Sequence, residues 1–221
     1  MKVIDLSIPP AEAPIYRDAR GYADPPLILE DWIGIGERRG GFVSPFRVSR
    51  LTLGLHSGTH IDAPSHFHPG GRTLADLQPD YLVGWVVVVD ARDQAGDVTA
   101  LADHALTATL RCEGAIPLVL VAEEARLGPA ALAELIGWGR PVVAIVGSID
   151  GYDPDCPTTS ALLAAGLYLV VDLAETASEA KTGDLLVIAP LSLGAVEAAP
   201  ARVFAIRGSG SAGLTKLSPG H

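Results

Sequence analysis

The sequence predicts an α/β fold built on a mixed sheet, and three observations carry that prediction. Short runs rich in Val, Ile and Leu recur through the middle of the chain, segments of helical period separate them, and the strand-like segments at both ends follow one another too closely for helical crossovers. With 48% hydrophobic and 19% charged residues, the 221-residue chain can bury one core without disulfides, so residues 1–221 read as a single domain.

Taken in order, Met1 to Leu6 enters a strand-like run directly and lacks the apolar stretch and cleavage site of a signal peptide. Pro9 to Pro26 holds five prolines, too many breakers for a helix or a central strand, and reads as a long loop. Phe46–Leu55 alternates as a strand with one polar face and delivers the chain to His56. Trp85–Val89, Pro117–Ala122 and Pro141–Val146 are continuous apolar runs, as expected of strands covered on both faces. Helices are expected over Ala100–Leu110, with Thr99 as cap, over Pro129–Trp138, and over Ser160–Ala165 before Gly166. Leu167–Val171, Leu185–Ile188 and Arg202–Ile206 complete the sheet, and Gly208–His221 reads as a loose tail.

Composition excludes several classes of function. A net charge of −10 and no cluster of Lys and Arg argue against a nucleic-acid partner. No apolar run approaches the roughly 18 residues of a membrane span, and the two cysteines, Cys112 and Cys156, form neither a zinc-ligand spacing nor a disulfide framework and read as buried thiols. The expectation is a cytoplasmic protein acting on a small molecule.

Four of the six histidines fall within thirteen residues, His56, His60, His66 and His68. Imidazole and carboxylate suit a divalent ion such as zinc or manganese, and a set of two histidines and one carboxylate leaves positions open for water and substrate. Geometry limits how His56, His60 and Asp62 could share one ion. In a regular strand His56 and Asp62 would lie about 20 Å apart, and in a helix Asp62 would face away from the two histidines. Only a folded-back loop brings the three together, and Gly58, Thr59 and Pro64 suit one. His68, beside Pro69, Gly70 and Gly71, reads as a surface residue.

The run from His56 to His66, HSGTHIDAPSH, resembles the HxGTHxDxPxH signature of the metal-dependent cyclase family, which includes bacterial kynurenine formamidase, isatin hydrolase and cyclases of aromatic polyketide pathways. Every fixed position is matched, and the similarity extends to Ile4–Ser7, Leu82–Arg92 and Gly183–Leu193. The resemblance implies a swivelling β/β/α domain that assembles as a homodimer or homotetramer. It also implies one divalent metal ion on His56, His60 and Asp62, with His66 as a second-site ligand or a nearby acid/base. Hydrolytic members carry a histidine and a glutamate where this chain has Thr159 and Val171, so a second ion would need Asp172, Asp153, Asp155 or Cys156 instead. Glu123 and Glu124 replace an RTGW-like stretch and bring acid near the pocket or cap a solvated turn.

Hydrolysis of an amide, lactam or ester of a small cyclic or aromatic substrate is the first expectation, with His66 moving the proton. Ring closure in aromatic polyketide or other natural-product biosynthesis is the alternative, since it needs no activated water. A non-catalytic relative that keeps the ion for structure is the third. Among the scarce aromatic residues, Tyr16, Tyr22, Trp32 and Phe42 are candidate substrate contacts, and Phe46 is expected in the core.

Overall fold

The computed structural model describes residues 1–17, 20–94, 96–102, 104–151 and 153–208. The tail read from Gly208 therefore lies, from residue 209 onward, outside the described residues.

In chain order the first strands are β1 (Lys2–Asp5), β2 (Ile28–Ile33), β3 (Arg38–Arg39), β4 (Phe42–Val43), β5 (Val48–Thr52) and β6 (His60–Asp62). Next come β7 (Val83–Asp90), β8 (Asp97–Val98), helix α1 (His104–Leu110), β9 (Ala115–Leu120), β10 (Arg126–Leu127) and α2 (Pro129–Gly137). The chain continues through β11 (Val142–Val146), α3 (Pro157–Ala164), β12 (Tyr168–Val171), β13 (Leu185–Pro190) and β14 (Ala198–Arg207).

The expected parallel core is β7, β9, β11 and β12, hydrogen-bonded side by side in that order. β13 and β14 add to it antiparallel. Three-residue β6 then pairs antiparallel with β12 on one side and β14 on the other, and this closes the sheet into a seven-strand barrel. Closure leaves β6 no free edge. β1 lies beyond β6 along the same edge of β14.

Alternation along each strand divides the core in two. Ile61, Val86, Leu118, Ala144 and Val170 fill the barrel interior, whereas Val87, Val119, Val143 and Leu169 face outward beneath Ala131 and Leu135 of α2 and Leu162 and Leu163 of α3. Burial of both faces explains why these strands read as continuous apolar runs.

Several expectations shift. Helix α1 spans His104–Leu110, and Thr99, five residues before it, instead donates its amide N–H to the Gln94 carboxamide oxygen. The strand after Phe46 forms but does not enter the barrel: β5 pairs with β2 alone, in a ribbon whose residues are almost all exposed, and Phe46 is exposed rather than in the core. Both cysteines are half-buried. Glu123 and Glu124 are exposed in a turn after β9. No helix among the described residues is long and apolar enough to cross a membrane.

Candidate metal centre

The folded-back loop required by the histidine spacing is present between β5 and β6. His56 lies in a turn, the chain reverses at Gly58 (φ 66°), and β6 begins at His60. A Cβ at Gly58 would stand 2.5 Å from the Ile8 carbonyl oxygen, so glycine is needed there for space as well as for φ. Thr59 fastens the turn: its amide donates to the Ile8 carbonyl, its hydroxyl oxygen accepts the Ile8 N–H, and its hydroxyl donates to the Asp172 carbonyl.

In β6, residues 60 and 62 share one face and Ile61 the other. Ile61 enters the barrel interior, and His60 and Asp62 lie on the outer face, 5% and 4% exposed. Asp62 Oδ1 is 3.0 Å from His56 Nδ1 and 3.3 Å from His60 Nε2, yet it accepts no hydrogen bond. An oxygen buried this way, with two imidazole nitrogens turned to it, is what a shared cation would satisfy. His60 Nδ1 lies 2.8 Å from the Gly58 carbonyl oxygen. In the neutral ring Nδ1–H donates there, and the Nε2 lone pair is left facing Asp62.

His66 ends the short 3₁₀ turn Pro64–His66 and stacks on His56 with ring centroids 4.2 Å apart. Ligand atoms of His56, Asp62 and His66 all lie within 4.8 Å of one another. The structure thus brings all four predicted residues together, in two overlapping triads that share His56 and Asp62. His68 is half-buried rather than on the surface, and its Nε2 lies 2.8 Å from the Ser160 carbonyl oxygen of α3.

The charges follow from this packing. Burial acts to lower the pKa of His60, but Asp62, aided by Asp172 and the Gly58 carbonyl, pushes it up to about 9. For Asp62, burial acts to raise the value, and His60 and His56 outweigh it, so the carboxyl sits well below the usual carboxylate range. Desolvation lowers the pKa of His66, and the His56 and His60 imidazoles add to it against Asp62 and Glu197.

Two carboxylates from distant chain segments complete the centre. Asp172, at φ 54° just after β12, places Oδ2 3.6 Å from His60 Nδ1. Glu197, just before β14, places Oε1 3.9 Å from His56 Nε2. In the sequence Asp172 stands out only as a substitute ligand, and Glu197 does not stand out. Its only sequence signal is its place before a terminal strand, and barrel closure is what brings it here. Thr159 does not face the centre: its hydroxyl and amide are bound to Asp150, which caps α3. Val171 packs against the outer core.

Comparison with known proteins places this chain among relatives of similar fold. Kynurenine formamidase of Erythrobacter litoralis is 44% identical over 55 residues, 25% of this chain and 26% of that one. The matched stretch thus spans about a quarter of that curated relative. Isatin hydrolase A from Labrenzia aggregata, solved with benzyl benzoate, superimposes with a TM-score of 0.67 at 23% identity, over 92% of this chain and 93% of that one. A protein described as a predicted metal-dependent hydrolase from Bacillus stearothermophilus gives a TM-score of 0.62 at 25% identity, over 92% and 97% of the two chains. The family model described as "Putative cyclase" matches residues 4–126, more than half of the chain. With the signature loop, the closed mixed barrel and that match in agreement, the chain belongs to the Cyclase family.

Proposed function

We propose that this protein is a metal-dependent hydrolase that opens an amide, lactam or ester bond of a small cyclic or aromatic substrate. The observation that carries the reading is Asp62 Oδ1, buried between two imidazole nitrogens without a hydrogen bond. The relatives support it by name, one a formamidase and one a hydrolase. In this reading His56, His60 and Asp62 hold one zinc or manganese ion, which when bound polarises a carbonyl oxygen and acidifies a coordinated water.

The chain's own residues do the rest. The Gly58 carbonyl fixes the His60 tautomer. His66, on the exposed side of the cluster and held neutral near pH 7 by its lowered pKa, accepts a proton and returns it to the leaving group. The rings of His66 and Phe67 stand nearly perpendicular, with centroids 4.7 Å apart. Thr159 and Val171, in place of a histidine and a glutamate, favour a second reading, in which the same residues assist aldol or Claisen ring closure in natural-product biosynthesis and no water is activated.

Elemental analysis of the wild type beside His60→Ala, with assays of lactam and amide hydrolysis and of ring closure, separates these readings. About one ion per chain is expected, absent from the variant, with hydrolysis that a chelator abolishes. A wild type that purifies without metal under several conditions would remove both readings, and a loaded protein that closes rings but hydrolyses nothing would leave only the second.

The assembly proposed is a homodimer or homotetramer. Two-stranded ribbons are marginal alone in water, and the β2–β5 ribbon exposes Ile28, Leu29, Trp32, Val48 and Leu51, which a second copy of the chain would cover. Light scattering should give a dimer or tetramer mass that Leu29→Glu lowers toward the monomer, and a monomeric wild type at tens of micromolar would contradict this.

A further inference from the structure

The end of the sheet away from the histidines holds a second feature. Strands β7, β9 and β11 begin at Val83, Ala115 and Val142, and the turns that feed them border an open cavity of about 540 Å³. Two guanidinium groups line it, Arg111 after α1 and Arg140 before β11, with Tyr81 and Val83 as exposed apolar surface beside them.

In this acidic chain a guanidinium group usually has a carboxylate. Among the described residues eight arginines stand within ion-pair distance of an Asp or Glu. Among the described residues Arg111 and Arg140 have no such partner, although Asp80 and Glu113 line the same cavity. Arg140 is also pinned. Its Nη1 donates to the Cys112 carbonyl at 2.9 Å, whereas its Nε is buried and has no hydrogen-bond partner. The bond to Cys112 holds the Arg140 guanidinium at the wall of the cavity, with its positive charge not neutralised by a carboxylate among the described residues.

We propose that this cavity binds a small carboxylate bearing an apolar group. Arg140 and Arg111 supply two positive charges to the carboxylate, and Tyr81 and Val83 receive the apolar body. Asp80 and Glu113 oppose a dianion more than a monoanion, which favours a carboxylate over phosphate. The site is separate from the metal centre. His60 pairs with Val171 at the C-terminal end of β12, whereas the cavity borders the N-terminal ends of the strands, on the order of 10 Å or more away along the sheet.

The test is a titration of the metal-loaded full chain with sodium phenylacetate, followed in ¹H–¹⁵N spectra at the amides of Gly114 and Gly139, which line the cavity and not the metal centre. Sodium phosphate and sodium chloride form the comparison arms. Saturable shifts at both glycines are expected with phenylacetate, at lower concentration than with phosphate, and none with chloride. Arg111→Ala and Arg140→Lys should each weaken binding by about tenfold or more, since each removes charge-assisted hydrogen bonds. Arg140→Lys keeps the charge, and unchanged metal content in both variants shows that they fold. Unaltered affinity in the two folded variants, or no saturation with either oxyanion at tens of millimolar, would overturn the site. Tighter binding of phosphate would overturn its assignment to a carboxylate.

Discussion

Asp62→Asn should leave a folded protein that holds no metal and has lost about three orders of magnitude or more of its hydrolytic activity. The change is nearly isosteric in a side chain that is almost fully buried, so packing against Leu169 and Ala198, its neighbours on β12 and β14, should survive. What it removes is the single negative charge between His56 and His60, and it turns one oxygen acceptor into an NH₂ group unable to face a cation. A second readout is independent of activity. In metal-free protein Asp62 is the main reason that the pKa of His60 stands at about 9, against burial acting the other way. With that charge gone, burial acts against a weaker opposition, and the titration of His60 should move down toward the ordinary histidine range. NMR titration of the metal-free protein reads this directly. A variant that still binds one ion per chain with near wild-type affinity would mean that Asp62 is not a ligand.

Gly58→Ala is the second large effect, and it acts through the backbone. An added Cβ meets the Ile8 carbonyl oxygen at 2.5 Å and the Pro10 nitrogen at 2.9 Å, both main-chain atoms of a segment held by Thr59. Left-handed φ at alanine costs about 1–2 kcal/mol, and overpacking adds about 1–3 kcal/mol. A loss of roughly 2–5 kcal/mol by chemical denaturation is therefore expected. Relief by rotating the Gly58 peptide would move the carbonyl that orients His60, so metal affinity should fall by about 10–100-fold, as when partners behind a ligand are removed. Full stability and unchanged affinity would show that the loop tolerates a different path and that its geometry does not place the histidines.

Much of this architecture was legible in the chain. Strands β7, β9, β11 and β12 announce themselves because both of their faces are buried and both must be apolar, and Pro129 at the start of α2 marks its helix as expected. The β2 segment, ILEDWI, could not be read in the same way. It neither alternates nor forms an apolar run, and it is a strand only because β5 pairs with it. The chemistry of Phe46 points to the core, but the ribbon it precedes has no core to offer. At the candidate metal centre, His56, His60, Asp62 and His66 lie close in sequence, and the loop residues between them betray the fold-back. Glu197 and Asp172 come from strand ends more than a hundred residues away, and local pattern carries no trace of such a meeting.

One consequence follows from the shortness of β6. Its three residues are at once the last stave of the barrel and the bearers of two of the site's four clustered side chains, so drift in this segment risks the structure and the chemistry together. Divergence within such a scaffold is free elsewhere. At the flanking strand ends Asp172 and Glu197 hold the β6 segment through their main-chain carbonyls, and their exposed carboxylates can change without unseating it. A lineage that alters its reaction while keeping the HSGTHID loop would be expected to record the change there first.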